Sequence, residues 1–295
     1  MAIDRWRCAA DSAERGERIH GTASRVRRWV VIEQPGPWGR DALLESRLDP
    51  TIGRTLKAKG RDHGVRVLLA RRSGWDAAGA SARCFLAHSG RDRSWMEALD
   101  VRSPAQLLGL DWALLAGNDP PGLGDPVTEP LYLVCTNGKH DACCADFGRP
   151  VVRALAEAGV EAWESSHVGG DRFAANVVCL PDGVYFGRVD PATAADLIKD
   201  YEADEIRLDH YRGRSCYSPL VQSAELFARH DTGVRQVYGL TLVEHRHVDP
   251  DHVDATFRTP DGADVAIAVE RVRGAAVTLT CTADEQHEPW EYRRI

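Results

Sequence analysis

The stretch Leu131-Tyr-Leu-Val-Cys-Thr-Asn-Gly-Lys-His-Asp-Ala-Cys-Cys144 is an apolar run that ends in a loop with three cysteines. A second apolar run, Val160-Glu-Ala-Trp-Glu-Ser-Ser-His-Val-Gly-Gly-Asp171, ends in a loop with a histidine and an aspartate. The apolar periodicity of residues 149–158 predicts a helix between the two runs. The order therefore predicts two parallel strands whose loops emerge at the same edge of a sheet.

Four side chains in these loops, Cys135, Cys144, His167 and Asp171, belong to the types that bind transition metals. Thiolate is the usual protein ligand for the iron of iron-sulfur clusters, and histidine can replace it. The paired glycines between His167 and Asp171 let the backbone pass close to a bulky inorganic group without a Cβ clash. The pattern indicates a site that holds iron.

The other cysteines do not suggest a disulfide framework, because a reducing compartment and a large core make one unnecessary. The chain has eight cysteines, of which Cys135, Cys143 and Cys144 cluster in sequence. Cys179 and Cys281 lie in strand-like runs, and we interpret them as buried small hydrophobic residues. Cys143 is interpreted as a packed thiol beside the ligands.

Both halves of the chain show the same order of predicted elements. In the second half, a hairpin over residues 176–187 and a helix over residues 191–201 follow the two parallel strands. In the first half, strands are predicted at residues 28–33, 65–70 and 83–88, and helices at residues 50–61 and 103–108. A β-α-β pair followed by a hairpin and a closing helix is the thioredoxin-like arrangement. The predicted fold is α/β, with two tandem thioredoxin-like β-α-β-β-α units and a small β-rich C-terminal appendage.

Turn-forming residues at 119–125 mark the boundary between the two units. The predicted domains are an N-terminal unit without ligands (1–125), a ligand-bearing unit (126–231) and a β-rich C-terminal extension (232–295). Strands of the extension are predicted at residues 237–244, 253–258, 264–271 and 276–281.

Composition limits the class of function. The chain has 295 residues, 43% of them hydrophobic, and a net charge of −7 without any block of like charge. That charge argues against a nucleic-acid partner. The sequence contains neither an apolar run long enough to span a membrane nor a signal-peptide core, so the expected compartment is cytoplasmic. The sequence also contains no nucleophile elbow, phosphate-binding loop or dinucleotide fingerprint, so it gives no specific support for an enzyme.

The sequence resembles the sucrase/ferredoxin-like family, which belongs to the thioredoxin-like [2Fe-2S] ferredoxins. The resemblance rests on Cys135-x8-Cys144, on Ser166-His-Val-Gly-Gly-Asp-Arg-Phe-Ala174 and on Pro181-Asp-Gly-Val-Tyr-Phe-Gly-Arg188. It extends to Val31-Ile-Glu-Gln-Pro-Gly-Pro-Trp-Gly39 and Tyr211-Arg-Gly-Arg214. The resemblance implies a [2Fe-2S] cluster held by Cys135, Cys144 and a His-x-Gly-Gly-His segment whose first histidine matches His167.

The chain departs from this pattern at Asp171, which stands where the family has the second histidine. A carboxylate is a harder and more anionic ligand than imidazole, so it should favour the oxidised cluster and lower its potential. Asp171 either binds iron directly or hydrogen-bonds another ligand. In the second case His140, Cys143 or Cys216 would fill the fourth position, or the cluster has been lost. Arg172 is expected either to pack at the surface or to donate hydrogen bonds near the ligands.

The function expected from these features is electron transfer by a [2Fe-2S] protein, with an unknown redox partner protein. If one nitrogen of His167 binds iron, the other can carry a proton, and electron uptake could couple to protonation. One alternative is a binding module in which zinc is held by the same four side chains. A second alternative is a thiol-redox enzyme that uses Cys143 or Cys144.

Overall fold

The computed structural model describes residues 6–72 and 81–295 of the chain. Its helices are α1 (Cys8–Glu14), α2 (Pro50–His63), α3 (Ala142–Glu157), α4 (Ala194–Glu202) and α5 (Pro219–Thr232). The strands of the first half are β1 (Arg28–Glu33), β2 (Arg66–Arg72), β3 (Ala82–His88), β4 (Trp95–Val101) and β5 (Asp125–Pro126). Those of the second half are β6 (Leu131–Cys135), β7 (Ala162–Ser165), β8 (Val177–Leu180), β9 (Val184–Phe186) and β10 (Tyr211–Arg214). The C-terminal strands are β11 (Thr241–Asp249), β12 (His252–Arg258), β13 (Asp264–Arg273) and β14 (Trp290–Arg294).

Within the described residues, ten strands form one sheet in the order β10-β9-β8-β6-β7-β2-β1-β3-β4-β5. In the first half, β1 pairs with β2 in parallel and with β3 antiparallel. The second half repeats this arrangement, because β6 pairs with β7 in parallel and with β8 antiparallel. An antiparallel pairing of β2 with β7 joins the two halves. The structure thus confirms the predicted α/β class.

Local sequence explains where the crossover helices begin. Asp49 accepts hydrogen bonds from the backbone N–H groups of Thr51 (2.7 Å) and Ile52 (3.3 Å), which caps α2. The corresponding cap of α3 is Asp141, whose side chain accepts from the N–H of Cys143 at 2.8 Å. Helix α3 therefore begins at Ala142, seven residues before the start of the predicted helix, and includes both vicinal cysteines.

The prediction missed β4 in the first half. Its sequence, Trp-Met-Glu-Ala-Leu-Asp-Val, has a single β-branched residue and is rich in good helix formers, so propensity does not favour a strand. Strand β4 forms because it pairs along its whole length with β3. Tertiary pairing overrides the local preference, and the helix predicted at residues 103–108 is a 3₁₀ helix over Pro104–Gly109.

The C-terminal extension is a four-stranded antiparallel sheet in the order β11-β12-β13-β14. The prediction of a strand at residues 276–281 was wrong. Within this range only Val277 makes an isolated bridge, and Cys281 lies in a turn. The fourth strand is β14 instead. Helix α5, which the sequence analysis did not predict, packs its apolar side chains against this sheet.

The N-terminal helix α1 packs against the second half of the chain. It contacts the 3₁₀ turn Asp171–Phe173, and Cys8 and Ala9 share a small apolar cluster with Cys143. Among the described residues, none of the helices is long and apolar enough to cross a bilayer.

Candidate metal centre

The parallel strands β6 and β7 carry the candidate ligands at one edge of the sheet. Strand β6 ends at Cys135, and Cys144 lies in the first turn of α3, which follows the loop. Strand β7 ends at Ser165, directly before the loop with His167 and Asp171. Gly148 lets α3 approach the strand closely, since a Cβ there would lie 2.1 Å from the carbonyl oxygen of Cys135. All four predicted ligands therefore meet.

Contacts between donor atoms link the four side chains. Asp171 Oδ1 lies 3.0 Å from His167 Nδ1 and accepts a hydrogen bond from Cys144 Sγ at 3.1 Å. His167 Nδ1 lies 3.9 Å from both Cys135 Sγ and Cys144 Sγ. Cys135, Cys144 and Asp171 are buried, whereas the side chain of His167 is 19% exposed. His167 is thus the member of the group that reaches the surface.

Burial and mutual contacts shift the pKa values of all four side chains. A hydrogen bond from Cys144 lowers the pKa of Cys135 well below its usual value, and the same contact raises the pKa of Cys144. Burial alone would lower the pKa of His167, but Asp171 and Cys135 raise it to about 9. Burial alone would raise the pKa of Asp171, yet His167 lowers it. The shifts of His167 and Asp171 both follow from their close contact inside the protein.

The three alternative fourth ligands lie in different places. His140 stacks on His167 with ring centroids 3.7 Å apart, and its Nε2 lies 3.9 Å from Asp171 Oδ2. Cys143 points away from this group toward Cys8 and Cys281. Cys216 is buried in the apolar core between α5 and the C-terminal sheet. Of the three, only His140 adjoins the predicted ligands.

Arg212 fixes the backbone of the ligand loop, the segment from His167 to Asp171. Its Nη1 donates to the carbonyl oxygen of Gly169 at 3.0 Å and to Asn176 Oδ1 at 2.7 Å. Asn176 Nδ2 in turn donates to the carbonyl oxygen of Gly170 at 2.8 Å. Gly170 has φ +83°, and a Cβ there would lie 2.3 Å from the Arg212 guanidinium, so only glycine fits.

Sequence reasoning did not assign this supporting role to Arg212. Its signal was the Tyr211-Arg-Gly-Arg214 motif, one of the segments on which the family resemblance rests. Arg66 of β2 also donates to the carbonyl oxygen of His167 at 2.8 Å, and no local pattern marks it. Arg172, which follows the ligands directly, pairs with Glu17 at 2.6 Å and stacks on Phe173.

A surface cavity opens beside the candidate ligands. His140 and His167 line it together with residues of the first half, among them Arg40 and Arg66. The cavity gives solvent and small solutes access to the exposed edge of His167. Residues of both halves line the cavity, so the first half borders the approach to candidate ligands that all belong to the second half.

Comparison with known proteins places these residues in a family. One curated relative is altered inheritance of mitochondria protein 32 of Meyerozyma guilliermondii, 28% identical over 99 residues. The match covers 30% of this chain and 35% of that protein's length. No solved structure matches the chain. The sucrase/ferredoxin-like family model matches residues 19–213, about two thirds of the chain, and the chain therefore belongs to the sucrase/ferredoxin-like family.

Proposed function

We propose that the chain is an electron-transfer protein that holds a [2Fe-2S] cluster on Cys135, Cys144, His167 and Asp171. The observation that carries the proposal is that Cys135, Cys144 and His167 hold donor atoms within 4.8 Å of one another, and that Asp171 contacts two of them, at one sheet edge of a sucrase/ferredoxin-like protein. When bound, the cluster would supply a one-electron acceptor. The redox partner would be a protein that docks at the cavity beside His167, where the group comes closest to the surface.

The chemistry of the donors fits such a cluster. Two thiols and an imidazole are ligands that iron-sulfur proteins use, and a carboxylate suits the harder ferric ion. Arg212, Asn176 and Arg66 fix the backbone of the His167–Asp171 loop, so the two ligands of that loop are held in place before a metal arrives. Burial of both cysteines limits the access of water to the sulfur atoms.

We infer further that each half of the large sheet is a thioredoxin-like unit. In support, the strand order of the first half is β2-β1-β3-β4 and that of the second half is β7-β6-β8-β9. In both, a crossover helix connects the parallel pair and a hairpin supplies the antiparallel strands. The second unit carries the ligands, and the first covers one side of the site.

The second candidate function is a zinc-stabilised binding module with the same ligands. One observation favours it: the donor atoms of Cys135, Cys144 and His167 all lie within 4.8 Å of one another, a spacing that three ligands of a single tetrahedral ion can adopt. A thiol-redox enzyme that uses the vicinal cysteines has less support, because Cys143 and Cys144 contact two separate groups of side chains.

Anaerobic purification separates the first two functions. We expect a brown-red protein with two irons and two inorganic sulfides per chain, whose visible absorption is bleached by dithionite. Iron and sulfide analysis together with absorption spectra before and after reduction would measure this. A colourless protein without iron, whose zinc content falls when Cys135 is replaced by alanine, would instead support the zinc module.

The reduction potential should depend on pH if the cluster binds through Nδ1 of His167, the nitrogen that faces the other donors. The imidazole also lines the cavity, where its other nitrogen can exchange a proton with water. Reduction adds negative charge and favours the protonated ring, so the potential should fall as pH rises, by at most about 59 mV per pH unit. Protein-film voltammetry between about pH 6 and pH 9 measures the slope. A flat line would contradict the coupling.

A further inference from the structure

Three cysteines from distant parts of the chain meet behind the first group of ligands. Cys8 Sγ lies 3.6 Å from Cys143 Sγ, Cys143 Sγ lies 3.3 Å from Cys281 Sγ, and Cys281 Sγ lies 3.6 Å from Cys8 Sγ. The three residues come from α1, from the first turn of α3 and from a turn in the C-terminal extension. The sequence interpretation of Cys143 and Cys281 as packed thiols does not explain why all three sulfur atoms face one point.

A carboxylate completes the group. Both oxygens of Asp141 lie 3.8 Å from Cys8 Sγ. The same carboxylate accepts from the N–H groups of Cys143 at 2.8 Å and of Cys281 at 2.6 Å, which fixes it against the triangle of thiols. Asp141 is only 1% exposed. A carboxylate buried among thiols is costly unless a cation offsets its charge.

We propose that Cys8, Cys143, Cys281 and Asp141 form a second metal site, which binds one Zn²⁺ in a tetrahedral arrangement. With Zn–S bonds of about 2.3 Å, the sulfur atoms of such a site lie about 3.8 Å apart. The observed separations of 3.3–3.6 Å need only a small expansion to admit the ion. Thiolates bound to different irons of a cluster would be spaced more widely, so the compact triangle selects a single ion.

The surroundings suit a zinc–thiolate site. The N–H of Ala9 donates to Cys143 Sγ at 3.5 Å, a contact that stabilises a thiolate ligand. Three thiolates and a carboxylate exceed the charge of Zn²⁺ by two. Arg7, which forms an ion pair with Asp146 at 2.6 Å, also interacts electrostatically with Cys143 and Cys281. Ala9 and Ala174 supply an apolar wall.

The site would have a structural role. Its cysteines are 135, 138 and 273 residues apart, so one ion would tie the N-terminal helix and the C-terminal extension to the loop that bears the first ligands. In this proposal the two vicinal cysteines belong to different sites: Cys144 faces the first site and Cys143 faces the second. This inference does not depend on the identity of the metal at the first site.

Metal analysis of the full chain tests the proposal. After anaerobic purification and dialysis against zinc-free buffer, we expect one more equivalent of zinc in the natural chain than in Cys8→Ala, measured by mass spectrometry. Cys281→Ala should lose the same equivalent, and because Cys281 lies in a partly exposed turn, this variant should disturb packing least. The matched control Cys84→Ala, a buried cysteine of another core cluster, should keep the zinc. Cobalt exchanged into the site should show the ligand-field bands of a tetrahedral thiolate complex.

Two results would overturn the proposal. Equal zinc content in the natural chain, Cys8→Ala and Cys281→Ala would mean that these cysteines do not bind it. A thiol count in denaturant that shows two of the three cysteines oxidised in a zinc-free protein would identify a disulfide instead. Neither result bears on the first site, whose metal is followed independently in Cys144→Ala.

Discussion

Replacing Cys144 with alanine is expected to abolish the visible absorption and to reduce the iron content to less than a tenth of that of the natural chain. Cys144 Sγ lies at the centre of the first group, in contact with Asp171 and His167. Removing it takes away one of two thiolates and the contact that Cys144 makes with Asp171. Loss of a ligand at a site of four leaves iron exposed to exchange with water. Absorption spectra and iron analysis of protein purified anaerobically measure the effect.

Two variants control for the loss of a buried thiol. Cys216→Ala removes a buried cysteine from the core between α5 and the C-terminal sheet, and it should retain the full iron content. Cys84→Ala removes a buried cysteine from a core cluster of the first half that contains no proposed ligand, and it should also retain iron. An iron content in Cys144→Ala equal to that of these controls would remove Cys144 from the ligand set.

Replacing Asp171 with histidine is expected to keep the cluster and to raise its reduction potential by on the order of 100 mV. Imidazole is neutral when it replaces the carboxylate, so it stabilises the oxidised cluster less. The substitution also restores the family pattern in the loop that Arg212 and Asn176 hold. Redox titration of the natural and substituted proteins, followed by visible absorption, measures the shift. A lower potential in Asp171→His would contradict direct ligation.

Removing the carboxylate of Asp171 tests whether this residue binds iron directly or only hydrogen-bonds another ligand. Asp171→Ala should lose or alter the visible spectrum if Asp171 binds iron, whereas an unchanged spectrum would exclude it. In that event the fourth position passes to His140, whose Nε2 lies 3.9 Å from Asp171 and whose ring stacks on His167. If His140 is the fourth ligand, His140→Ala should lose iron. If Asp171 is the fourth ligand, His140→Ala should keep its iron.

The predicted fold succeeded where local sequence matches the tertiary environment. Strands β1 and β6 are apolar runs bounded by turn residues, and the helix α2 has a capping aspartate and a terminal glycine. It failed at β4, where the residues favour a helix and only pairing with β3 makes a strand. Helix α5 was missed for a related reason: it is buried on several sides, so it lacks a clear polar face.

The sequence by itself determined the α/β class and the family, and it predicted the first group of candidate ligands. It could do so because Cys135, Cys144, His167 and Asp171 follow two parallel strands of one crossover, and the position of such loops is a local rule of chain geometry. Only the tertiary structure joined the two halves through β2 and β7, and it placed Arg212 beneath the ligand loop.

The tertiary structure also brought Cys8 and Cys281 to Cys143. These residues are separated by up to 273 positions, and no periodicity or motif connects them. Their meeting follows from how α1 and the C-terminal extension pack against the second half of the sheet. A local pattern reports which face of an element is buried, but the partner that covers this face is chosen by the packing of the whole chain.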